Sequence, residues 1–168
     1  MRLDEIISRA SAAERTELEL LKGKAAIANA KIAYAAFREV AGGERFRALA
    51  EKSARVQRPL WASTGTKNPQ YSDVLYLDSL IGPDTVNTVP PQTYLAFLDH
   101  GRLARTIDAD SDAASAALAA LERHGIVLEE VTDRLTVEGV KSFSDSFDKL
   151  IATIEARRAK AVESGAAR

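Results

Sequence analysis

Cysteine is absent from the 168 residues, which excludes disulfides and thiolate metal sites and fits a cytoplasmic setting. Neither charge sign is in excess. The 23 Lys+Arg stand against 24 Asp+Glu, for a formal net charge of -1, so nothing in the balance argues for nucleic acid or an anionic membrane. No uninterrupted apolar run approaches the ~20 residues that a membrane span needs. Met1-Arg-Leu-Asp-Glu-Ile lacks the basic-then-apolar order of a signal peptide. A Walker loop, a dinucleotide fingerprint and a Gly-x-Ser-x-Gly elbow are all missing, as are internal repeats and low-complexity linkers. The expectation is a soluble, cytoplasmic chain with room for one domain or a piece of a larger one.

What is present centres on Arg58 to Asn87. A short apolar run (Leu60, Trp61, Ala62) ends at Ser63 and a Thr-Gly-Thr-Lys turn follows. After an intervening apolar segment, Thr85-Val-Asn-Thr reads as a second short strand. Strands that end in polar, glycine-containing loops and alternate with helices point to βα units and a parallel sheet. In such folds the chemistry sits on loops at the carboxyl ends of the strands.

The rest reads as helix. Residues 2–9 carry Leu3, Ile6 and Ile7 on one side. From Glu14 to Val40, Leu18, Leu21, Ala25, Ala28, Ile32 and Ala35 keep spacings of three and four, with Ile27, Tyr34 and Phe37 widening the stripe. Gly23 interrupts this run at a cost of ~1 kcal/mol against alanine, which suggests a close contact there, and Gly42-Gly43 stops it. Residues 44–53 read as a helix with Phe46, Leu49 and Ala50 inward. Asn68-Pro69 marks a turn. Ser72-Asp73 would cap a short helix through Leu80, and Pro90-Pro91 would start another that Gly101 closes. Asp110 or Ser111 caps a segment to His124. Residues 128–137 form a short helix with Val131 and Leu135 inward. A terminal helix from Val140 places Phe143, Phe147, Leu150, Ile151 and Ile154 on one face, most simply as core. Residues 157–168 are expected to fray.

This inventory is unbalanced. Two parallel strands do not make a stable sheet, and Trp61 and Val86 lie on runs that look buried on both faces, as strands with neighbours on each side do. The partners of these strands are missing from the sequence.

Gly23-Lys-Ala-Ala-Ile-Ala-Asn-Ala-Lys31, Arg58-Pro-Leu-Trp-Ala-Ser-Thr-Gly-Thr-Lys-Asn-Pro69, Tyr71 through Asn87, and Gly139-Val-Lys-Ser-Phe-Ser-Asp-Ser-Phe-Asp-Lys-Leu together carry a resemblance. The chain resembles the C-terminal part of a transaldolase of the longer bacterial type, including the form fused to a phosphoglucose isomerase. The resemblance implies an α/β fold, the C-terminal portion of a (β/α)8 TIM barrel of class I aldolase type, mostly helical with about two parallel strands. Arg58–Ser63 would correspond to the seventh strand and Thr85–Thr88 to the eighth, with strands one to six upstream of Met1. The expected organisation is a single partial domain over 1–168. Residues 1–56 would be helices before the seventh-strand-like segment, 57–100 a strand-loop-helix-strand-helix core, and 101–168 the C-terminal helices. The implied activity is transfer of a dihydroxyacetone unit between sugar phosphates in the pentose phosphate pathway, through a lysine Schiff base, without cofactor or metal. The family's Schiff-base lysine lies on the fourth strand, with acidic assistants on the first and third, and none of those segments is matched here. Such a lysine needs a desolvated pocket and acid–base partners, so no catalytic residue is assigned and no activity is expected from this chain alone.

Ser63 and Lys67 form the best constellation. The resemblance makes Ser63 a contact to the substrate phosphate. The shorter enzymes place an arginine where this chain has Gly65, so Lys67 would supply the charge. A hydroxyl, a glycine-flanked turn and an ammonium within four residues suit an oxyanion, although a surface turn with a solvated lysine accounts for the same residues. Arg2 is a further phosphate candidate, set against a surface arginine. Lys22, Lys24 and Lys31 read as a solvated helix face. His100 and His124 each precede a glycine at a helix end, where the helix dipole favours an imidazolium. Asp108-Ala-Asp110-Ser-Asp112 has neither the glycine nor the glutamate of a calcium loop and reads as an N-cap.

Two readings stand side by side. One is part of an enzyme, non-catalytic by itself: a truncated gene product, a fragment, or one chain of a split enzyme that binds sugar phosphate when an N-terminal barrel half completes it, with a complementary chain or a homo-oligomer as partner. The other is an independently folded helical binding or structural module that has repacked around the two strands. Open strand edges favour the first, and helices closing over both edges favour the second. A third reading, Lys67 as the Schiff base, predicts borohydride trapping of a dihydroxyacetone adduct on that residue.

Overall fold

The structure, a computed structural model, describes residues 2–165, Arg2 by its backbone alone. The chain falls into two compact units, Met1–Gly125 and Ile126–Arg168.

In the first unit, α1 spans Arg2–Arg9 and α2 spans Ala12–Leu21. Ser11 caps α2 through a reciprocal box. Its hydroxyl accepts from the Glu14 N–H while the Glu14 carboxylate accepts from the Ser11 N–H. The Ser-x-x-Glu spacing announces this start in the sequence. Gly23, at φ +75°, then ends α2. A left-handed residue there favours glycine, so the expected Glu14–Val40 helix is two, α2 and α3 (Ala25–Gly42). The break resets the helical phase. Leu18, Leu21 and Ala28 are buried as expected, but Ile32 and Ala35 are exposed. The inward face of α3 runs instead through Ile27, Ala28, Lys31, Tyr34 and Phe37. After Gly43 comes α4 (Glu44–Ala50), on which Phe46 is half-buried while Leu49 and Ala50, expected inward, are exposed.

The strands are minimal: β1 is Leu60–Trp61 and β2 is Val86–Asn87. They run parallel, Leu60 opposite Val86 and Trp61 opposite Asn87. Between them lies α5 (Leu75–Ser79), and after them α6 (Pro91–His100) and α7 (Ser111–Arg123). Ser72 accepts from the Val74 N–H just before α5, and the Asp73 carboxylate meets the His100 ring. Proline opens α6, where its missing N–H is no loss. Asp110 precedes α7 but makes no side-chain cap.

The core gathers where α3 crosses the strands. Tyr34, Leu80 and Ile107 are buried together, and Ile27, Ala30, Phe37 and Trp61 pack on them. The Tyr34 hydroxyl donates to the Pro83 carbonyl at 3.1 Å. α7 packs along α3 and touches α2, with Ala114, Ala120 and Leu121 buried.

Trp61 and Val86 are only half-buried, and Leu60 remains 53% exposed. The expectation of burial on both faces is corrected: α3 covers one side of the ribbon, which is the side Trp61 takes. The Val86 and Thr88 N–H groups donate to the carbonyls of Pro59 and Trp61, so the backbone of Leu60 faces the opposite edge. Among the described residues the sheet has two strands, and none pairs with that edge.

The second unit is α8, a single helix over Leu128–Glu163. Two separate helices, 128–137 and from Val140, were the expectation. Gly139 costs the helix only ~1 kcal/mol against alanine, and no proline or left-handed cap follows it to force a break. Helix also continues through the segment expected to fray, as far as Glu163. Ala166–Arg168, the last of that segment, lie outside the described residues. Leu135, Phe143 and Phe147, read as inward or core, are 60%, 82% and 62% exposed. Among the described residues no helix is long and apolar enough to cross a membrane.

Candidate functional site

β1 ends and the chain turns at Ser63, whose φ is +58°. A left-handed serine is uncommon and is held there only if its surroundings fix it. Those surroundings are visible in the next residues. Thr64 is buried, and its Oγ1 lies 2.7 Å from Asn87 Oδ1 and 3.0 Å from the Thr88 carbonyl. The hydroxyl thus fastens the loop after β1 to the end of β2. Gly65 follows, and a Cβ built on it would lie 2.9 Å from Pro90 Cγ and 3.3 Å from Thr93 Oγ1. The backbone therefore presses on the first turn of α6, and an arginine at this place would displace Pro90. Asn68 closes the loop by accepting the Gln70 N–H at 3.0 Å.

The loop borders a cleft of about 460 Å³ between β1 and α3. Ser63 and Lys67 both line it, so the structure brings the two sequence-predicted residues to one wall. Ala26, Ala30, Trp61 and Tyr71 form the others. Lys67 is its one charged residue among the described residues; with no carboxylate beside it, the electrostatics favour an anion. The backbone N–H groups of Thr64 through Lys67 donate to no acceptor among the described residues. The Thr66 hydroxyl and the Trp61 indole nitrogen are buried without a hydrogen-bond partner, a condition that folded proteins rarely leave unmet. Sequence reasoning missed Thr64, Thr66 and Asn87. The Ser-Thr-Gly-Thr run marked the turn but not which hydroxyl points inward.

The remaining candidates separate. Arg2 lies in α1, with its side chain outside the described residues. Lys24 is exposed, as a solvated face requires, and Lys22 pairs with Asp4 and Glu19 at 3.1 and 3.0 Å. Lys31 departs from that reading. Its ammonium donates to the carbonyls of Thr106 and Ala109 at 2.8 and 2.7 Å, tying α3 to the strap before α7. His100 does not cap a helix with its ring. Its nitrogens meet Asp73 Oδ1 at 2.9 Å and Asp99 Oδ2 at 3.0 Å. The bond to Asp73 and then that to Asp99 hold the imidazole above its usual pKa. His124 sits 3.3 Å from Glu17. Asp108 is taken by the Arg105 guanidinium.

A strand that ends in a glycine-containing loop, followed by a helical crossover to a parallel strand, is the βα arrangement of an α/β protein. Residues 1–154 match the family described as Transaldolase/Fructose-6-phosphate aldolase. The chain is 46% identical over 151 residues to Transaldolase 1 of Streptomyces avermitilis, covering 89% of this chain and 40% of that one. It is 44% identical over 143 residues to Transaldolase 2 of a Nostoc species, covering 84% and 38%. With the transaldolase of Thiobacillus denitrificans it shares 48% identity over 134 residues, covering 80% and 37%. The chain belongs to the transaldolase/fructose-6-phosphate aldolase family, and it spans about two fifths of the length of these curated relatives.

Proposed function

We propose that these residues form the C-terminal portion of a (β/α)8 transaldolase barrel and supply the loop that holds the substrate phosphate during dihydroxyacetone transfer between sugar phosphates in the cytoplasm. Ser63 donates its hydroxyl, the backbone N–H groups that follow it complete the cradle, and Lys67 takes the place of the family's arginine as the cation. Arg2 joins them from the neighbouring segment. The Schiff-base lysine comes from the part of the relatives' length that the match does not cover, so this chain alone does not turn over. The observation that carries the reading is the left-handed Ser63 on the same cleft wall as Lys67, with the intervening N–H groups uncommitted. The open edge of β1 supports completion by further strands rather than an independent module.

Two measurements test it. Titration of the chain with inorganic phosphate and with fructose 6-phosphate should shift the amide resonances of Ser63 through Lys67, and Ser63→Ala or Lys67→Met should weaken both ligands several-fold. Co-expression with the unmatched N-terminal part of the Streptomyces avermitilis relative should restore dihydroxyacetone transfer that neither part has alone. Shifts confined to other segments would remove the phosphate assignment. Transfer activity in the isolated chain, trapped by borohydride on Lys67, would overturn the division of labour.

A further inference from the structure

We infer that Thr64, backed by Asn87 and Thr88, is a positioning residue for the phosphate loop: it holds Ser63 in the left-handed conformation without itself touching the ligand. The inference rests on the reading of Ser63 to Lys67 as that loop, and it adds what sets the loop's affinity.

Thr88 is gripped from both sides by the segment it faces. Its N–H donates to the Trp61 carbonyl at 3.0 Å, and its own carbonyl lies 3.0 Å from the Thr64 hydroxyl. Only Ala62 and Ser63 separate the two gripping residues, so the chain has to turn back on itself within them. The turn falls on Ser63, at φ +58°, a conformation that serine keeps only under constraint. Asn87 Oδ1, 2.7 Å from the same Thr64 hydroxyl, fixes the direction in which that hydroxyl points. On the far side the loop is stopped by α6, since a Cβ on Gly65 would come within 2.9 Å of Pro90 Cγ and 3.3 Å of Thr93 Oγ1.

Burial divides the labour. Thr64 and Thr93 are the two buried polar residues among the described residues, and both stand at this junction. Ser63 and Lys67 are exposed, as groups that meet a ligand must be. Peptide units are rigid, so the direction of the N–H groups from Thr64 to Lys67 turns with the dihedral angles of Ser63. Without the Thr64 hydroxyl, Ser63 spreads into the extended and right-handed regions. The apparent phosphate affinity then falls to the fraction of chains still left-handed.

Inorganic phosphate titrated into the full chain, followed by the amide resonances of residues 63–67, tests this. Thr64→Val should weaken binding at least about fivefold, and Thr64→Ser should restore it. The amide-to-Hα coupling and carbon shifts of ligand-free Ser63 should leave their left-handed values in the valine variant and regain them in the serine one. Asn87→Ala should also weaken binding, and the double variant with Thr64→Val should be no worse than Thr64→Val alone, because both act through one hydroxyl. Asn87→Ala carries the test if circular dichroism shows Thr64→Val unfolded. Lys31→Met, whose lost bonds lie on the strap before α7, should bind phosphate as the wild type does. Binding indifferent to Thr64→Val and Asn87→Ala overturns the inference and leaves the phosphate loop standing. Equal losses in Thr64→Val and Lys31→Met overturn it too, since the effect is then one of stability. A wild-type chain whose 63–67 resonances ignore phosphate removes the phosphate loop itself, and this inference with it.

Discussion

Thr64 and Asn87 meet at 2.7 Å across the ends of the two strands. The contact couples the loop that carries Ser63 to the strand that follows it. Replacing the buried Thr64 by valine keeps the shape and removes the donor, leaving the Asn87 oxygen and the Thr88 carbonyl without it. A loss of about 1–3 kcal/mol is expected. Urea unfolding of Thr64→Val against Thr64→Ser checks this: the serine variant should recover most of the loss, and equal midpoints for valine and wild type would show that the bond contributes nothing.

Ser63 offers the opposite result. Its φ of +58° is natural for glycine and strained for serine, so Ser63→Gly should stabilise the fold by up to about 1 kcal/mol. The same change removes the hydroxyl and should weaken phosphate binding. Thermal unfolding and phosphate titration of the one variant should therefore move in opposing senses.

Lys31 is a cross-link with the geometry of a bound cation, its ammonium on two carbonyls. Lys31→Met retains the aliphatic stem but leaves Thr106 and Ala109 without their donor. A cost of about 1–3 kcal/mol is expected, since hydrogen bonds to a charged group are the stronger kind. Hydrogen exchange should accelerate in residues 104–110 before it does so in α2.

The Asp73–His100–Asp99 cluster sets a pH window. The imidazole pKa is raised by both carboxylates, so its contribution is fully present below the ordinary imidazole value of about 6.5 and is lost as pH rises through the higher folded value. The Asp73 pKa is lowered by His100. Its share is present above the ordinary carboxylate value and is lost as pH falls through the folded one. Stability from this cluster should therefore peak in mildly acidic solution. His100→Gln should flatten the profile on its alkaline side, measured by unfolding midpoints across the pH range. An unchanged profile would mean that solvent screens the pair completely.

Much of this was legible in the sequence because it is local. Gly23 announced an interruption, Pro90-Pro91 a helix start, and the Leu60–Ser63 run a strand with a loop worth attention. The resemblance identified the family from Gly23 to Lys31, Arg58 to Pro69, Tyr71 to Asn87 and Gly139 to Leu150. What the sequence concealed depends on distant partners. Lys31 has the look of a solvated lysine until Thr106, far along the chain, supplies its carbonyl. The buried face of α3 could not be phased without knowing that Gly23 is left-handed. Phe143 and Phe147 carry the pattern of core residues yet stand exposed on α8, because periodicity alone does not say what lies against a helix face.

Trp61 is the sole tryptophan, and it stands half-covered in the cleft beside the open edge of β1, its indole N–H without an acceptor. On the proposed completion of the barrel, the protein thus carries a built-in optical probe beside the edge that further strands join. Its emission should be that of a partly wetted indole in the isolated chain and should move to shorter wavelength when polypeptide fills the slot. A fluorimeter can thus follow assembly without any added label.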